Sequence, residues 1–206
     1  MVIMINKIGV LTSGGDAPGM NAAIRGVTRY AIEKGLEVTG IVRGYEGLLS
    51  HEIMPLNRRS VGAIIHRGGT MLRTARCLEF LEEETQKKAA AYIREQEMDA
   101  LVVIGGDGSM RGAQALSRLG IPTVVIPGTI DNDMGGTEYT VGFDTAVNTV
   151  LESVNKIRDT AFSHDRVAVI EVMGRHAGFI ALYAGMAAGA EAVLVPEHEV
   201  SLEDLC

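Results

Sequence analysis

Residues 8–16 read IGVLTSGGD, and the order of these residues already indicates an α/β fold. The apolar run Ile8–Leu11 predicts a short strand that enters a glycine-rich turn. Apolar residues then recur at helical spacing from Met20 to Ala31, and Gly35 is typical of a helix end. A second apolar run over residues 36–42 completes a strand–helix–strand unit with a parallel crossover.

The same order of elements returns further along the chain. Residues 100–104 predict a strand, the segment 105–109 reads GGDGS, and residues 110–119 predict a helix capped by Gly120. Another apolar run, 121–126, predicts a buried strand that feeds the loop 127–133, which reads PGTIDND. This alternation favours an α/β fold with a mostly parallel sheet.

The remaining segments carry weaker patterns. Phe143 to Ile157 predicts a long amphipathic helix, and residues 79–97 predict a charged one. Apolar runs predict strands at 167–172 and 192–195, with a small-residue helix between them. Residues 60–66 suggest a short helix, and the rest of 44–60 shows no regular pattern.

Composition and charge exclude several classes of protein. The 206 residues carry a net charge of −7, which argues against a nucleic-acid or anionic-membrane partner held by bulk charge. The cysteines are Cys77 and Cys206, so a disulfide framework is not expected and a reducing compartment fits. The N-terminus lacks the pattern of a signal peptide, and the uncharged stretch Ala177–Ala190 is too short and glycine-rich to span a bilayer. We therefore expect a cytoplasmic protein without membrane contact.

Glycines between a strand and a helix are typical of phosphate-binding loops. Gly14 and Gly15, and the segment 105–109, let backbone N–H groups approach a phosphate at the helix N-terminus. Neither segment matches the Walker or G-x-G-x-x-G pattern, so each could also be only a tight turn. Asp107 is a candidate Mg²⁺ ligand, with a helix N-cap as the alternative.

The loop 127–133 holds the candidate catalytic group. Asp131 and Asp133 flank an asparagine, which is compatible with an Asx-turn but also with a general base that accepts a hydroxyl proton. Arginines in loops suit phosphate oxygens, and Arg175, between glycines of a predicted strand-end loop, is the strongest candidate. Arg25 and Arg29 share a helix face, for which a basic surface stripe is the simplest interpretation.

Taken together, the motifs TSGGDAPGMN (12–21), GGDGS (105–109), PGTIDND (127–133) and EVMGR (171–175) resemble the bacterial ATP-dependent 6-phosphofructokinase family. The resemblance runs the whole length of the chain. It implies transfer of the ATP γ-phosphoryl group to the 1-hydroxyl of fructose 6-phosphate, with Mg²⁺ as cofactor. It also implies a three-layer sandwich of two similar Rossmann-like domains, the second incomplete.

The resemblance assigns roles to individual residues. Asp131 is implied as the base and Asp107 as the metal ligand. The implied ATP-binding residues are Gly15, Arg76, Cys77, Gly106, Asp107, Gly108 and Ser109. The implied fructose 6-phosphate ligands are Thr129, Ile130, Asp131, Arg166, Met173, Gly174 and Arg175, with Arg166 supplied by a neighbouring subunit. The implied effector site for ADP or phosphoenolpyruvate comprises Arg25, Arg29, Arg58, Arg158 and Glu191.

The donor, the domains and the assembly are further expectations from the family. Pyrophosphate-dependent relatives usually carry Asp at the position of Gly108 and Lys at that of Gly128, so glycine at both indicates ATP. Residues 1–139 are expected to form the ATP-binding domain without its C-terminal return segment. Residues 140–206 are expected to begin the fructose 6-phosphate domain. A full-length member is expected to be a homotetramer.

Two alternatives stay open at the level of sequence. The chain could be an inactive, truncated nucleotide-binding fragment of the same fold, because family members are longer. The strand–helix–strand unit alone also suggests a dinucleotide-binding oxidoreductase. The missing G-x-G-x-x-G and the pair Asp131 and Asp133 count against the oxidoreductase.

Overall fold

A computed structural model describes residues 4–201 and 203, and these residues form two compact units. The first unit ends at Thr129 and the second begins at Ile130. This division falls earlier in the chain than the transition expected near Tyr139. Cys206 lies outside the described residues, so no statement about its structure follows.

The first unit alternates strands and helices, as the sequence predicts. In chain order its elements are β1 (Lys7–Ser13), α1 (Met20–Glu33), β2 (Glu37–Ile41), α2 (Gly44–Leu49), β3 (Ile53–Leu56), a 3-10 turn (Leu78–Leu81), α3 (Glu83–Glu95), β4 (Ala100–Gly105), α4 (Asp107–Arg118) and β5 (Thr123–Thr129). The last strand extends through Thr129, so the loop that carries Asp131 starts later than its sequence suggests.

The strands of the first unit form a mostly parallel sheet in the order β3-β2-β1-β4-β5. Strand β1 pairs in parallel with β2 and β4, and β4 pairs in parallel with β5. Only β3 runs antiparallel, against β2. The predicted α/β class is therefore confirmed. In this register Ser13 lies opposite Gly105, and Gly105 lies opposite Pro127, so three strand ends meet at one edge of the sheet.

Both faces of this sheet are buried, as expected for parallel strands. On one face, Leu11 and Val103 join a core cluster with residues of α2, α3 and α4. Within it, the rings of Tyr45 and Phe80 stack with their centroids 4.1 Å apart. Neighbouring strand residues point to the opposite face, and Val10 and Ile104 there are fully buried as well.

The segment 44–60 is more ordered than its sequence predicts. It contains α2 and β3, and residues 60–66 form turns instead of the suggested helix. Gly47 lowers the helix signal of α2, but a Cβ there would lie 1.6 Å from the carbonyl oxygen of Val42, so close packing requires glycine. Pro55 lowers the strand signal of β3, yet β3 is an edge strand, where proline is tolerated.

The second unit contains the short strand β6 (Val141–Gly142) and the helices α5 (Phe143–Ser163) and α6 (Phe179–Ala188). The strands predicted at 167–172 and 192–195 are wrong, since within the described residues only an isolated bridge, Val195 to His198, forms in these segments. Val167 is 93% exposed, so its apolar run has no partner strand to cover it. Across the described part of the chain, no helix is long and apolar enough to cross a membrane.

Candidate active site

The candidate nucleotide site lies where β1, β4 and β5 end together. Gly14, Gly106 and Thr129 are at or just beyond these strand ends. An ideal Cβ built on Gly106 would lie 3.7 Å from the Cβ of Thr129. The fold thus brings a glycine of the predicted ATP loop next to a threonine of the predicted substrate loop. Ligands of open α/β sheets bind at this edge.

The first glycine loop is open to solvent. Gly14 has φ +87°, a conformation that favours glycine. Gly15 is exposed, and a Cβ added to it would meet no atom within 4 Å. The loop therefore leaves its backbone N–H groups accessible to a ligand, as a phosphate loop requires.

The second glycine loop continues directly into α4. Gly106 occupies the N-cap position, and Asp107 and Gly108 begin the helix. Both helix residues are exposed, and a Cβ on Gly108 would meet nothing within 4 Å. Ser109, by contrast, is only 4% exposed. The N-terminal N–H groups of α4 thus face an open space that can receive an anion.

Buried hydrogen bonds hold α4 against the sheet. The Ser109 hydroxyl donates to the carbonyl oxygen of Ser13 over 2.9 Å, and the Tyr45 hydroxyl donates to the carbonyl oxygen of Ser109 over 2.6 Å. Burial raises the pKa of Tyr45 above its ordinary value, so the hydroxyl keeps its proton for this bond. A Cβ on Gly105 would lie 2.4 Å from the Ser109 hydroxyl, which explains the glycine.

Asp107 is a surface carboxylate with one cationic neighbour. Its Oδ2 lies 2.9 Å from Nη2 of Arg111, and 48% of the Asp107 side chain is exposed. Because Gly106 is the N-cap, the alternative role of Asp107 as N-cap is wrong. No group of three or more His, Cys, Asp or Glu side chains within the described residues is arranged to hold a metal. An exposed carboxylate at the N-terminus of a helix nevertheless fits Mg²⁺, which binds proteins through few carboxylates and takes phosphate oxygens as further ligands.

Arg76 and Cys77 lie just before the 3-10 turn of the first unit. Arg76 is exposed, and Cys77 is a half-buried free cysteine that packs against the core cluster. Burial is the largest cause of a raised pKa for the Cys77 thiol. A raised pKa disfavours the reactive thiolate, so Cys77 fits a packing or contact role and not a nucleophile.

Asp131 stands at the start of the second unit, in a loop that its neighbour Asn132 stabilises. The side chain of Asn132 accepts a hydrogen bond from the Thr140 N–H over 2.8 Å and donates to the Glu138 carbonyl over 3.1 Å. Asn132 has φ 54°, as asparagine tolerates. Asn132 thus has a structural role in this loop, because it connects the start of the loop to residues 138 and 140.

The environment of Asp131 raises its pKa and so strengthens it as a base. Partial burial is the main cause that raises its pKa, the negative charge of Asp133 raises it further, and the positive charge of Arg175 lowers it. Asp133 itself is exposed. A carboxylate with a raised pKa holds a proton more strongly than an ordinary aspartate, which is the property a general base needs.

An open cleft of about 560 Å³ adjoins this loop within the second unit. Asn132 and Asp133 line one part of it, and Tyr139, Phe179 and Tyr183 line another. Phe179, which the sequence left without a role, is thus a cleft residue. Such a mixture of carboxylate and aromatic groups is typical of small-molecule sites.

The other predicted sugar-phosphate ligands lie in the segment after α5. Arg166, Met173 and Arg175 are exposed, and Gly174 is buried with φ 146°. A Cβ on Gly174 would lie 2.4 Å from the Ala177 carbonyl oxygen, so this tight turn needs glycine. Of the three exposed side chains, Arg175 is the one whose charge reaches Asp131.

The predicted effector residues are spread over both units. Arg25 donates from Nη1 to the carbonyl oxygens of Val61 and Gly62, at 2.6 Å and 3.0 Å. Arg29 and Arg58 are exposed in the same unit. The remaining two belong to the second unit, where the Arg158 guanidinium donates to the Ala188 carbonyl and Glu191 is exposed.

Two residues of the nucleotide site gave no signal in the sequence. Tyr45 is 64 positions before Ser109 and reaches α4 only through the fold. Thr74 donates its hydroxyl to the Gly14 carbonyl oxygen over 2.6 Å. Neither belongs to a glycine motif, so only the tertiary structure reveals their contact with the phosphate loops.

These features define an α/β protein whose first unit presents two open glycine loops at the strand ends and whose second unit begins with a loop that carries a partly buried carboxylate. The phosphofructokinase family profile matches residues 7–206. The chain therefore belongs to the phosphofructokinase family, and the resemblance read from its motifs is confirmed.

Individual relatives agree with this assignment. The chain is 60% identical over 201 residues to ATP-dependent 6-phosphofructokinase 1 of Clostridium perfringens, and 62% identical over 202 residues to ATP-dependent 6-phosphofructokinase of Clostridium acetobutylicum. Each match covers 98% of this chain, which spans about 63% of the length of these curated relatives. The structure of phosphofructokinase from Saccharomyces cerevisiae aligns with a TM-score of 0.86 and 41% identity, over 93% of this chain and 29% of that one.

Proposed function

We propose that the protein transfers the γ-phosphoryl group of MgATP to the 1-hydroxyl of D-fructose 6-phosphate, which gives fructose 1,6-bisphosphate in glycolysis. The observation that carries this proposal is Asp131, a carboxylate with a pKa raised mainly by burial, placed two positions after the strand end at Thr129. The relatives named as ATP-dependent 6-phosphofructokinases support the choice of reaction.

In this proposal the loops of the first unit hold the nucleotide. Gly15 and residues 106–109 surround the phosphates with backbone N–H groups, and Arg76 and Cys77 complete the ATP site. Asp107 is the residue that would hold Mg²⁺, and the metal would neutralise charge on the phosphates. To do so, the Asp107 carboxylate would give up its contact with Arg111, and since this ion pair is exposed, its loss would cost little.

Asp131 performs the proton transfer. Its carboxylate accepts the proton of the sugar hydroxyl as that oxygen bonds to the γ-phosphorus and the bond from phosphorus to the ADP oxygen breaks. The positive charge of Arg175 favours the ionised form of Asp131, since it lowers the pKa that burial raises. Thr129 and Ile130 belong to the same substrate loop, and Met173, Gly174 and Arg175 bind the sugar phosphate.

The choice of ATP as the donor rests on Gly108. The open space beside this glycine accommodates the remainder of a nucleotide next to the phosphates, and an aspartate there would fill it with negative charge. Gly128 is more tightly packed than Gly108. A Cβ at Gly128 would come within 3.1 Å of Ile104 Cγ2, so a larger residue there would require a small shift of its neighbours.

The assembly and regulation are part of the same proposal. A homotetramer allows Arg166 to reach the sugar phosphate of a neighbouring subunit. Arg25, Arg29, Arg58, Arg158 and Glu191 are assigned to an effector site for ADP or phosphoenolpyruvate. The residue ranges 1–139 and 140–206 are assigned to the ATP-binding and the fructose 6-phosphate-binding domains, and the protein is assigned to the cytoplasm.

A second candidate function is nucleotide binding without turnover. The observation that favours it is that both glycine loops belong to the first unit, whereas Asp131 belongs to the second. The two candidates separate in one pair of measurements on the 206-residue chain. Calorimetry measures MgATP binding, and a coupled assay measures fructose 1,6-bisphosphate formation against an Asp131→Asn baseline.

The kinase proposal predicts both binding and product above the baseline. Binding without product supports the second candidate and overturns the first for this chain. An absence of MgATP binding overturns both.

A further inference from the structure

Two consecutive carbonyl oxygens at the start of the first glycine loop, those of Ser13 and Gly14, accept hydrogen bonds from side-chain hydroxyl groups. The Ser13 carbonyl accepts from the Ser109 hydroxyl over 2.9 Å, in a buried bond. The Gly14 carbonyl accepts from the Thr74 hydroxyl over 2.6 Å. These donors come from α4 and from the segment before the 3-10 turn, so distant parts of the first unit converge on two consecutive peptide groups.

Fixing a carbonyl also fixes the N–H of the same peptide group. Peptide units are planar and trans, so the N–H points opposite to the C=O. The Ser109 bond therefore turns the Gly14 N–H away from α4, and the Thr74 bond turns the Gly15 N–H away from Thr74. Within the described residues, neither N–H donates a hydrogen bond to another group. The exposed position of Gly15 leaves room for an anion there.

The segment that carries Thr74 is itself attached to β1. The Thr12 hydroxyl donates to the Arg73 carbonyl over 2.8 Å and lies 2.8 Å from the Thr70 hydroxyl. Thr12 is fully buried and belongs to the strand that enters the loop. Thr74 is therefore held rigidly with respect to the peptide group it orients, and a rigid donor is what pre-organises a binding site.

We propose that Thr74 and Ser109 are positioning residues that aim the Gly15 and Gly14 N–H groups at a phosphate of the bound nucleotide. This inference rests on the proposed function, because it takes MgATP as the ligand of the loop. It also changes the role of Ser109, whose buried hydroxyl donates to Ser13 and acts on the nucleotide through the Gly14 peptide group. Thr74 acquires a role that its sequence context does not suggest.

The test compares variants that differ by one hydroxyl group. Thr74→Val keeps the size of the side chain but removes the donor, whereas Thr74→Ser keeps the donor. Thr28→Val is the matched control, since it removes a buried hydroxyl of the same unit that has no hydrogen-bond partner among the described residues. Calorimetry gives the MgATP dissociation constant of each 206-residue chain, and a thermal melt reports its fold.

We expect Thr74→Val to raise the dissociation constant about fivefold to tenfold, the loss typical of one hydrogen bond that orients a ligand donor. Thr74→Ser and Thr28→Val are expected to bind like the wild type. Equal affinity of the Thr74→Val chain and the wild type overturns the inference, and so does failure of Thr74→Ser to restore binding.

A second variant covers a loss of folding. If Thr74→Val melts well below the wild type, Ser109→Ala tests the Gly14 peptide group, and the same weakening of MgATP binding is expected. Unchanged affinity in a folded Ser109→Ala chain overturns the inference. If the wild type itself binds no MgATP, the proposed function is wrong, and the positioning role of Thr74 is wrong with it.

Discussion

The contact between Gly112 and Tyr45 gives a prediction with a worked magnitude. Gly112 lies inside α4, and a Cβ there would come within 2.6 Å of the Tyr45 ring. The ring cannot retreat freely, because it stacks on Phe80 and its hydroxyl donates to Ser109. Gly112→Ala must therefore displace either the ring or the helix that presents the second glycine loop.

The expected cost follows from three effects. Overpacking of a core costs about 1–3 kcal/mol, and loss of the Tyr45 hydrogen bond costs about 1 kcal/mol. The higher helix propensity of alanine offsets about 1 kcal/mol of this destabilisation. The net destabilisation of Gly112→Ala is thus about 1–3 kcal/mol. Because Ser109 shifts with α4, MgATP binding is expected to weaken as well.

Gly26 supplies the control for this substitution. It also lies inside a helix, α1, but a Cβ there would meet nothing within 4 Å. Gly26→Ala is therefore expected to stabilise the chain by about 0.5–1 kcal/mol. Urea unfolding followed by circular dichroism measures both variants. Equal stabilisation by Gly112→Ala would refute the steric argument, and so would a failure of Tyr45→Leu to relieve its cost in the double variant.

The remaining predictions concern one buried hydroxyl and two charges. Thr28→Val should stabilise the chain by about 1 kcal/mol in urea unfolding, because the buried Thr28 hydroxyl finds no hydrogen-bond partner in the described part of the chain; a loss of stability would contradict this. Gly108→Asp should weaken MgATP binding at least about tenfold in calorimetry, because it places a carboxylate beside the phosphates; unchanged affinity would place the nucleotide elsewhere. Activity requires ionised Asp131 and so should fall as the pH drops through its raised pKa. Asp133→Asn removes a charge that raises this pKa, and should move the acid limb of the pH profile of kcat/KM to lower pH. An acid limb at an unchanged pH would show that the charge of Asp133 does not act on Asp131.

Local patterns predicted the elements that pack on a complete sheet. The strands β1, β2, β4 and β5 and the helices that connect them appear near their predicted positions. The predictions failed where tertiary contacts decide. Gly47 and Pro55 obscured α2 and β3, because one serves a close approach to Val42 and the other lies on an edge strand.

The opposite error occurred in the second unit. The run at 167–172 is apolar enough for a buried strand, but a strand forms only against a partner, and this run finds none within the described residues. Apolar periodicity reports a preference for burial and does not report whether the rest of the chain provides a neighbour. The sequence alone therefore predicted an element that its surroundings do not support.

For the candidate site, motifs predicted the loops but not their internal contacts. Gly15, Asp107 and Asp131 belong to short patterns with a recognisable chemistry. The contacts of Thr74 and Tyr45 with these loops join residues far apart in sequence. The pKa of Asp131 is raised mainly by burial and lowered by the charge of Arg175, and neither effect follows from the loop sequence.

The most direct test of the central claim is the ratio of kcat for fructose 1,6-bisphosphate formation between the wild type and Asp131→Asn. Asparagine keeps the size of the side chain but cannot accept the hydroxyl proton, so kcat should fall about 10²–10⁴-fold while MgATP still binds. Asp133→Asn, its exposed neighbour, should keep a rate close to that of the wild type at neutral pH. A kcat for Asp131→Asn within about threefold of the wild type would contradict the assignment of Asp131 as the base.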